Sequence, residues 1–347
     1  MSATPPGASG ALLDQDTPAT IRLSVAEATA LGERALRGVG LPNDDVRIIV
    51  DQLIDNALCG YPFASLPRIL AIAQDAKTQQ ARQPVRVVHE TPVSALLDGG
   101  NNVGYVAVYR ATQVAIDKAR AQQFAVVGVY NSYYSGRNAY YMEMIVKAGL
   151  VGMHLASAQP HVVPPGGTRP ALGTNPLCFG FPSAHGPVIF DIGTSALMWG
   201  EVLLHAHLDK PLPAGTGVDK AGTPTTNARE ILLGGVLPFG GHKGYGLSLT
   251  IQAMGLLAGA ALARGEVQDY GFLFVVFDPG LLIPADQFAA QVSQLIDRIK
   301  ATPRQPGVED IRIPSERAFR ERDRRRVEGL VLERKVVEGL TALACAA

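Results

Sequence analysis

The sequence is poor in aromatic residues and has no net charge. Aromatics make up 6% of its 347 residues, with one tryptophan, and 31 basic residues balance 31 acidic ones. Charge neutrality removes the electrostatic footprint expected of a protein that binds nucleic acid or an anionic membrane surface. Cysteine is scarce: Cys59, Cys178 and Cys345 are odd in number and far apart. No CxxC or Cys/His pair has zinc spacing, which argues against both a disulfide scaffold and a structural zinc. There is no GxGxxG between a strand and a helix, no Walker loop, no HExxH and no GxSxG, so neither a Rossmann fold nor the common hydrolase chemistries find support. A basic start and an apolar leader are also missing. Residues 1–20 are rich in Ser, Thr, Pro, Gly and Ala and read as a loose tail, which makes the cytoplasm the expected address. The longest apolar stretch, residues 247–263, is interrupted by Ser248, Thr250 and Gln252 and dominated by Gly255, Ala258, Gly259 and Ala260. It reads as a tightly packed buried helix and not as a membrane span.

What is present suits a turn-rich globular protein: 47% hydrophobic, 18% charged, 37 glycines and 24 prolines. At ~150 residues per domain the length suggests about two domains. Ser24 and Glu27 form a capping-box pattern that opens a helix to about Arg37. Asn43 can cap a second, with Val46, Ile49, Val50, Leu53, Ile54 and Leu58 at helical spacing, and a third is expected from Ser65 or Leu66 towards Lys77. Strands are then expected at 85–88, 93–97, 124–130, 151–156, 188–191 and 271–277. Helices are expected at 105–121, at 139–148 and from Ser315 onward, with Asp98-Gly99-Gly100-Asn101-Asn102 as a tight loop. The simplest architecture is α/β (α+β). A mainly helical domain is made from both chain ends, 21–90 plus 241–347, and a mixed-sheet α/β domain, 91–240, is inserted into it.

Glycine-bearing polar loops are the candidates for chemistry. Gly173-Thr174-Asn175-Pro176 follows a Pro/Gly-rich stretch, and Asp191 to Ser195 closes a strand. Phe239-Gly240-Gly241-His242-Lys243-Gly244 precedes a helix: glycines let backbone N–H groups approach an anion, the helix N-terminus adds its positive end, and Lys243 adds a full charge. That segment is a phosphate or pyrophosphate clamp or an ordinary glycine turn with a solvated lysine. Arg68 can hold a substrate carboxylate bidentately. His205 and His207 share a face only if their run is a strand, and they lack a third metal ligand. The Arg-rich segment 317–326, interleaved with Glu316, Glu321 and Asp323, reads as a salt-bridged helix and not as a nucleic-acid patch.

Taken in order, Asp98 to Gly104, Asn131-Ser132, Gly173 to Pro176, Asp191 to Ser195, Gly222 to Thr226, Leu237 to Gly246 and Ile313 to Arg317 resemble one family. It is the malate/L-lactate (type 2) dehydrogenase family, which includes ureidoglycolate and sulfolactate dehydrogenases and the reductase of cyclic 2-imino acids (piperideine-2-carboxylate and pyrroline-2-carboxylate). The likeness runs from about residue 22 onward. It implies a family-specific, non-Rossmann NAD(P)-binding fold, NADP or NAD as cofactor, a small carboxylate substrate and a homodimer. It carries cofactor contacts onto Ser157, Thr174, Asn175, Asp191, Thr194, His242 and Lys243, and catalysis onto Arg68 and Tyr134.

The sequence departs from the family at its catalytic positions. Where the family has Ser-His-Gly-x-x-Arg, this chain reads Phe63-Ala64-Ser65-Leu66-Pro67-Arg68, and Tyr134 stands where a second histidine is expected. Hydride addition to a ketone leaves an alkoxide that needs a proton donor, and an unperturbed phenol titrates near ~10. A cyclic iminium arrives protonated and demands less of an acid. The expected activity is therefore NAD(P)H-dependent reduction of a 2-oxo or, preferably, cyclic 2-imino carboxylate. The alternatives are a nucleotide-binding protein without redox activity and an atypical lyase or cyclase.

Overall fold

The computed structural model describes residues 20–207 and 209–345. The expected tail over 1–20 lies outside them except for Thr20, which begins the first strand. In chain order the elements are β1 (Thr20–Leu23), α1 (Val25–Gly38), α2 (Asn43–Leu58), α3 (Arg68–Gln74), β2 (Arg86–Thr91), β3 (Ser94–Val103), α4 (Gly104–Gln122) and β4 (Phe124–Tyr133). There follow α5 (Asn138–Lys147), β5 (Val151–Ala156), β6 (Leu177–Phe181), β7 (Val188–Ile192), α6 (Trp199–His207), β8 (Gly217–Val218), α7 (Ala228–Leu233) and β9 (Gly235–Val236). The last are α8 (His242–Leu257), β10 (Phe272–Phe277), α9 (Ala285–Lys300), α10 (Glu316–Glu328), β11 (Leu330–Glu333) and α11 (Arg334–Ala344). They form two compact units, one from the residues before Gln74 and after Arg320, the other from Gln74–Arg320.

The first unit draws on both chain ends. Its opening helix starts as the sequence dictates: Ser24 Oγ accepts from the Glu27 amide at 3.2 Å and the Glu27 carboxylate accepts from the Ser24 amide at 2.8 Å. These bonds satisfy two amides that a helix start leaves orphaned. Ala28, Leu31, Ala35 and Leu36 form the buried stripe of α1, which packs on α2 and α11. β1 pairs antiparallel with β11, and Arg322 Nε sits 2.9 Å from the Asp55 carboxylate.

The second unit is built on a seven-stranded mixed sheet in the order β2-β3-β4-β10-β5-β6-β7. The unit boundaries fall at 73 and 320, not near 90 and 240. The reason is β10, which enters the centre of the sheet between β4 and β5 and keeps the segment after 241 with the sheet. Alternation along the strands makes two cores. Val127, Val129, Phe272, Phe274 and Val276 face α4 and α5, where Ala107, Ala111, Ala115 and Ala119 let α4 lie close to the sheet. Leu155, Leu177 and Leu273 face the other way, onto Ile251 and Ala258.

Several local expectations change. Asp98 to Asn102 is part of β3, with the register against β4 shifting between Asp98 and Asn102. The segment of His205 and His207 is helical and not a strand. The apolar run at 247–263 is buried on one side only: Ser248, Ile251 and Gly255 are buried, whereas Leu249 is 52% and Leu257 67% exposed. Among the described residues no helix is long and apolar enough to cross a membrane.

Candidate functional site

Sheet topology decides which loops meet. β3 and β4 are parallel. β10 is antiparallel to both β4 and β5, so those two run the same way. β6 opposes β5 and β7 opposes β6, so β7 also runs with β5. The C-terminal ends of β3, β4, β5 and β7 and the entries to β6 and β10 therefore lie at one end of the sheet. Asn131 to Tyr134, Ser157, Thr174 and Asn175, Asp191 to Thr194, and Tyr270 all emerge there. Open α/β sheets bind ligands outside the carboxyl ends of their strands, and this end has that character.

The loops are fastened to one another by buried polar groups. Asn175, fully buried, donates from Nδ2 to Gln252 Oε1 at 2.9 Å and to the Ser248 carbonyl at 2.9 Å, and its Oδ1 accepts from the Ala158 amide at 3.1 Å. Ser157 Oγ accepts from the Gly271 amide at 2.9 Å. Thr194 donates from its amide and from Oγ1 to the Thr174 carbonyl at 2.9 and 3.1 Å. Asp191 turns its carboxylate to the first turn of α5, where it accepts from the Ala139 amide at 2.9 Å. Burial raises the Asp191 pKa, against the pull of that bond, the Arg137 charge and the Asn138 amide. Of these expected cofactor residues, Ser157, Asn175, Asp191 and Thr194 use their side chains to hold loops in place, and Thr174 takes part through its backbone carbonyl.

His242 and Lys243 are different, because both are exposed at the start of α8. Gly241, at φ +60° and ψ −117°, caps that helix without a side-chain hydrogen bond, and a side chain there would meet nothing within 4 Å. Gly244 makes the opposite demand: a Cβ on it would come within 2.3 Å of the Phe239 carbonyl oxygen. Only glycine lets this turn close while Phe239 donates its amide to the Thr194 carbonyl at 3.0 Å. An open glycine cap, helix amides and a lysine over a floor of satisfied polar groups fit a pyrophosphate-bearing dinucleotide.

Tyr134 follows β4 in the left-handed region, at φ +55°, and its ring meets Tyr133 edge-on with centroids 5.5 Å apart. Left-handed backbone is uncommon for a bulky residue and marks a conformation held by its surroundings. The motifs around it act as stitching. Asn131 Nδ2 donates to Asp98 Oδ1 at 2.7 Å, Ser132 Oγ donates to the Asn102 carbonyl at 2.6 Å, and Asn102 Nδ2 donates to the Gln83 carbonyl at 2.6 Å. Burial pushes the Asp98 carboxyl up, but the Gly100 amide, Asn131 and Arg86 outweigh it and hold the pKa below its ordinary value.

Arg68, the other expected catalytic residue, opens α3 in the first unit with its guanidinium 5.8 Å from the Phe63 ring centre. His161 stacks on Trp199 at 4.1 Å, and burial lowers its pKa to about 4, so it is neutral near pH 7. Among the described residues no group of three His, Cys, Asp or Glu could hold a metal ion.

Sequence reading passed over Lys77, Tyr133, Asp269 and Tyr270. Lys77 Nζ lies 5.5 Å from the Tyr133 ring centre and 5.6 Å from that of Tyr270. Tyr133 shares a 2.7 Å hydrogen bond with Thr78 Oγ1. The cluster joins a loop and two strand ends distant in sequence, so no local spacing could reveal it.

Residues 23–341 match the profile of a family described as malate/L-lactate dehydrogenase. An L-sulfolactate dehydrogenase of Methanothermobacter thermautotrophicus is 33% identical over 335 residues, covering 93% of this chain and 96% of its own. A Delta(1)-pyrroline-2-carboxylate/Delta(1)-piperideine-2-carboxylate reductase of Pseudomonas putida is 34% identical over 263 residues, 71% of this chain and 74% of its own. Among solved structures, a malate dehydrogenase from Pyrococcus horikoshii matches with a TM-score of 0.83 at 29% identity, covering 95% of this chain and 96% of that one. The delta1-piperideine-2-carboxylate reductase of Pseudomonas syringae matches with a TM-score of 0.79 at 28% identity, covering 93% and 99%.

Proposed function

The chain belongs to the malate/L-lactate dehydrogenase family, a family of nicotinamide-dependent oxidoreductases, and from that premise we propose that it reduces a small 2-oxo or cyclic 2-imino carboxylate with NADPH or NADH. The observation that carries this reading is the gathering of the polar loops at one end of the sheet, with Lys243 and the glycine-capped start of α8 fastened to Thr194 and Asn175. Bound there, the reduced nicotinamide supplies a hydride. Lys243, His242 and the first amides of α8 would hold the phosphates of the dinucleotide. Ser157, Thr174, Asn175, Asp191 and Thr194 keep the loops in register. The family likeness carries the role of substrate-carboxylate anchor onto Arg68, whose planar two-pronged donor matches two oxygens. Tyr134 lies at the end of β4 as proton donor or as the group that orients the substrate.

The replacement of the family's histidines by Ala64 and Tyr134 favours the imine branch, because a protonated imine becomes a neutral amine without an external acid. The exposed apolar side of α8, including Leu249 and Leu257, supports a homodimer in which a second copy covers it.

The test is a panel of pyruvate, oxaloacetate, Δ1-pyrroline-2-carboxylate and Δ1-piperideine-2-carboxylate with each reduced cofactor, followed by loss of its absorbance. Turnover of at least one acid is expected, with the cyclic imines fastest. Cofactor binding without turnover of any acid would instead mark a nucleotide-binding protein that has lost the redox step.

A further inference from the structure

We infer that Lys77 is the proton donor for reduction of 2-oxo acids at this site, an assignment that rests on the reductase reading above. Its ammonium is wedged between the rings of Tyr133 and Tyr270, 5.5 and 5.6 Å from their centres, distances at which an aromatic face attracts a cation. Those rings sit at the site end of the sheet. Tyr133 is the last residue of β4 and meets Tyr134 edge-on. Tyr270 lies between Asp269 and Gly271, whose backbone carbonyls accept from Ser157 Oγ at 3.4 and 3.3 Å. Lys77 therefore bridges the strand end that carries Tyr134 and the loop that holds Ser157.

A second feature points to a ligand here. Asp269 is 7% exposed, and its Oδ2 is buried without a hydrogen-bond partner, while its Oδ1 is 3.8 Å from Arg264 Nε. An unsatisfied buried carboxylate oxygen is costly, and a bound molecule with a donor would complete it.

The groups facing Lys77 set its acidity. Burial lowers its pKa and the Arg264 charge adds to that, against the opposing carboxylates of Asp269 and Asp75. The ammonium is thus a better acid than a solvated lysine. Tyr133 is a worse one than a solvated phenol: burial raises its pKa, opposed by the Thr78 bond, with Asp75 raising it further and Arg82 opposing. In the proposed step the carbonyl carbon gains a hydride, and the C=O π pair moves onto oxygen. That oxygen takes a proton from Lys77 Nζ, leaving a neutral amine that recovers its proton from solvent. The 2-oxo acid becomes a 2-hydroxy acid as the nicotinamide is oxidised. A cyclic iminium needs no such proton, and with Lys77 as donor Tyr134 orients the substrate.

The experiment uses the full chain with Lys77→Met and Lys77→Arg. Lys77→Met is expected to lower kcat for 2-oxo acids on the order of 10²- to 10⁴-fold, with a much smaller loss on cyclic imines and little change in KM. In the unsubstituted protein the 2-oxo rate falls as pH rises through the Lys77 pKa, and Lys77→Met loses that limb. Lys77→Arg keeps the charge but does not restore the rate, because guanidinium retains its proton. Independently of activity, the pH dependence of Lys77 acylation, read by peptide mass mapping, has its midpoint below the ~10.4 of a solvated lysine. Equal losses on both substrate classes, rescue by arginine, or an acylation midpoint no lower than that of a solvated lysine would each overturn the assignment. So would reduction of imines alone by the unsubstituted chain, which leaves the reductase reading standing; absence of any turnover sinks that reading itself.

Discussion

The carboxylate of Asp191, at the end of β7, accepts a hydrogen bond from the Ala139 amide at 2.9 Å and so ties one sheet strand to the first turn of α5. Arg137 in the N-cap of α5 has no side-chain cap bond of its own, so Asp191 acts as the cap from a distance. Asp191→Ala is expected to cost about 1–2 kcal/mol, the range for a lost helix cap. The loss should appear as a lower urea midpoint at unchanged m-value. An unchanged midpoint would mean the carboxylate's place is beside the ligand and not under it.

Gly244 separates local closure from overall stability. With a Cβ at 2.3 Å from the Phe239 oxygen, Gly244→Ala must open the turn before α8 and displace Lys243. Reduced-nicotinamide affinity is expected to fall at least about tenfold, roughly 1.4 kcal/mol. Gly246→Ala, where a Cβ meets nothing within 4 Å, serves as control and is expected to keep affinity. Fluorescence titration of the two variants makes the comparison.

His154 gives the fold an acid sensitivity. It is fully buried and stacked on Phe274 at 4.0 Å, with Nδ1 3.1 Å from the Leu273 carbonyl. Burial lowers its pKa from 6.5 to about 4. The unfolded chain then binds the proton more readily. The stability this contributes is present above pH ~6.5 and lost as pH falls towards ~4, on the order of 3 kcal/mol. Urea midpoints across that range test it, with His154→Phe expected to flatten the slope. An equal slope in the variant would assign the sensitivity to other groups, His161 first.

How much of this the sequence disclosed depended on whether the signal was local. The capping box of Ser24 and Glu27 fixed the start of α1, and continuous apolar runs gave β4, β5 and β10, because caps and periodicity act within a few residues. The centre of the sheet was not legible. Insertion of β10 between β4 and β5 joins segments more than a hundred residues apart, and the unit boundaries near 73 and 320 follow from it. The loops of the site were marked by glycine and Asn/Asp motifs. Yet the structure divides them into buried fasteners such as Asn175 and Thr194 and outward groups such as Lys243, a distinction burial makes and composition does not. Lys77 lies in a polar connection with no pattern, and only tertiary packing brings the Tyr133 and Tyr270 rings to it.

Tyr134 stands where the resemblance leads one to expect a histidine. If it orients and Lys77 donates, Tyr134→Phe is expected to reduce kcat for 2-oxo acids by less than the ~10²-fold lower bound for losing an acid. The shape of the pH profile should persist. A loss of the full size, with the alkaline limb abolished, would return the donor role to the phenol.

The loops at one end of the sheet are proposed to hold a pyridine dinucleotide through the start of α8. Titration of the full chain with NADPH and NADH at low ionic strength, read by quenching of the single tryptophan, Trp199, tests it most directly. Saturable binding of at least one of them is expected. Lys243→Glu should weaken that binding, and the effect of the substitution should shrink as salt is added. No saturation with either nucleotide, or affinity indifferent to Lys243→Glu, would contradict it.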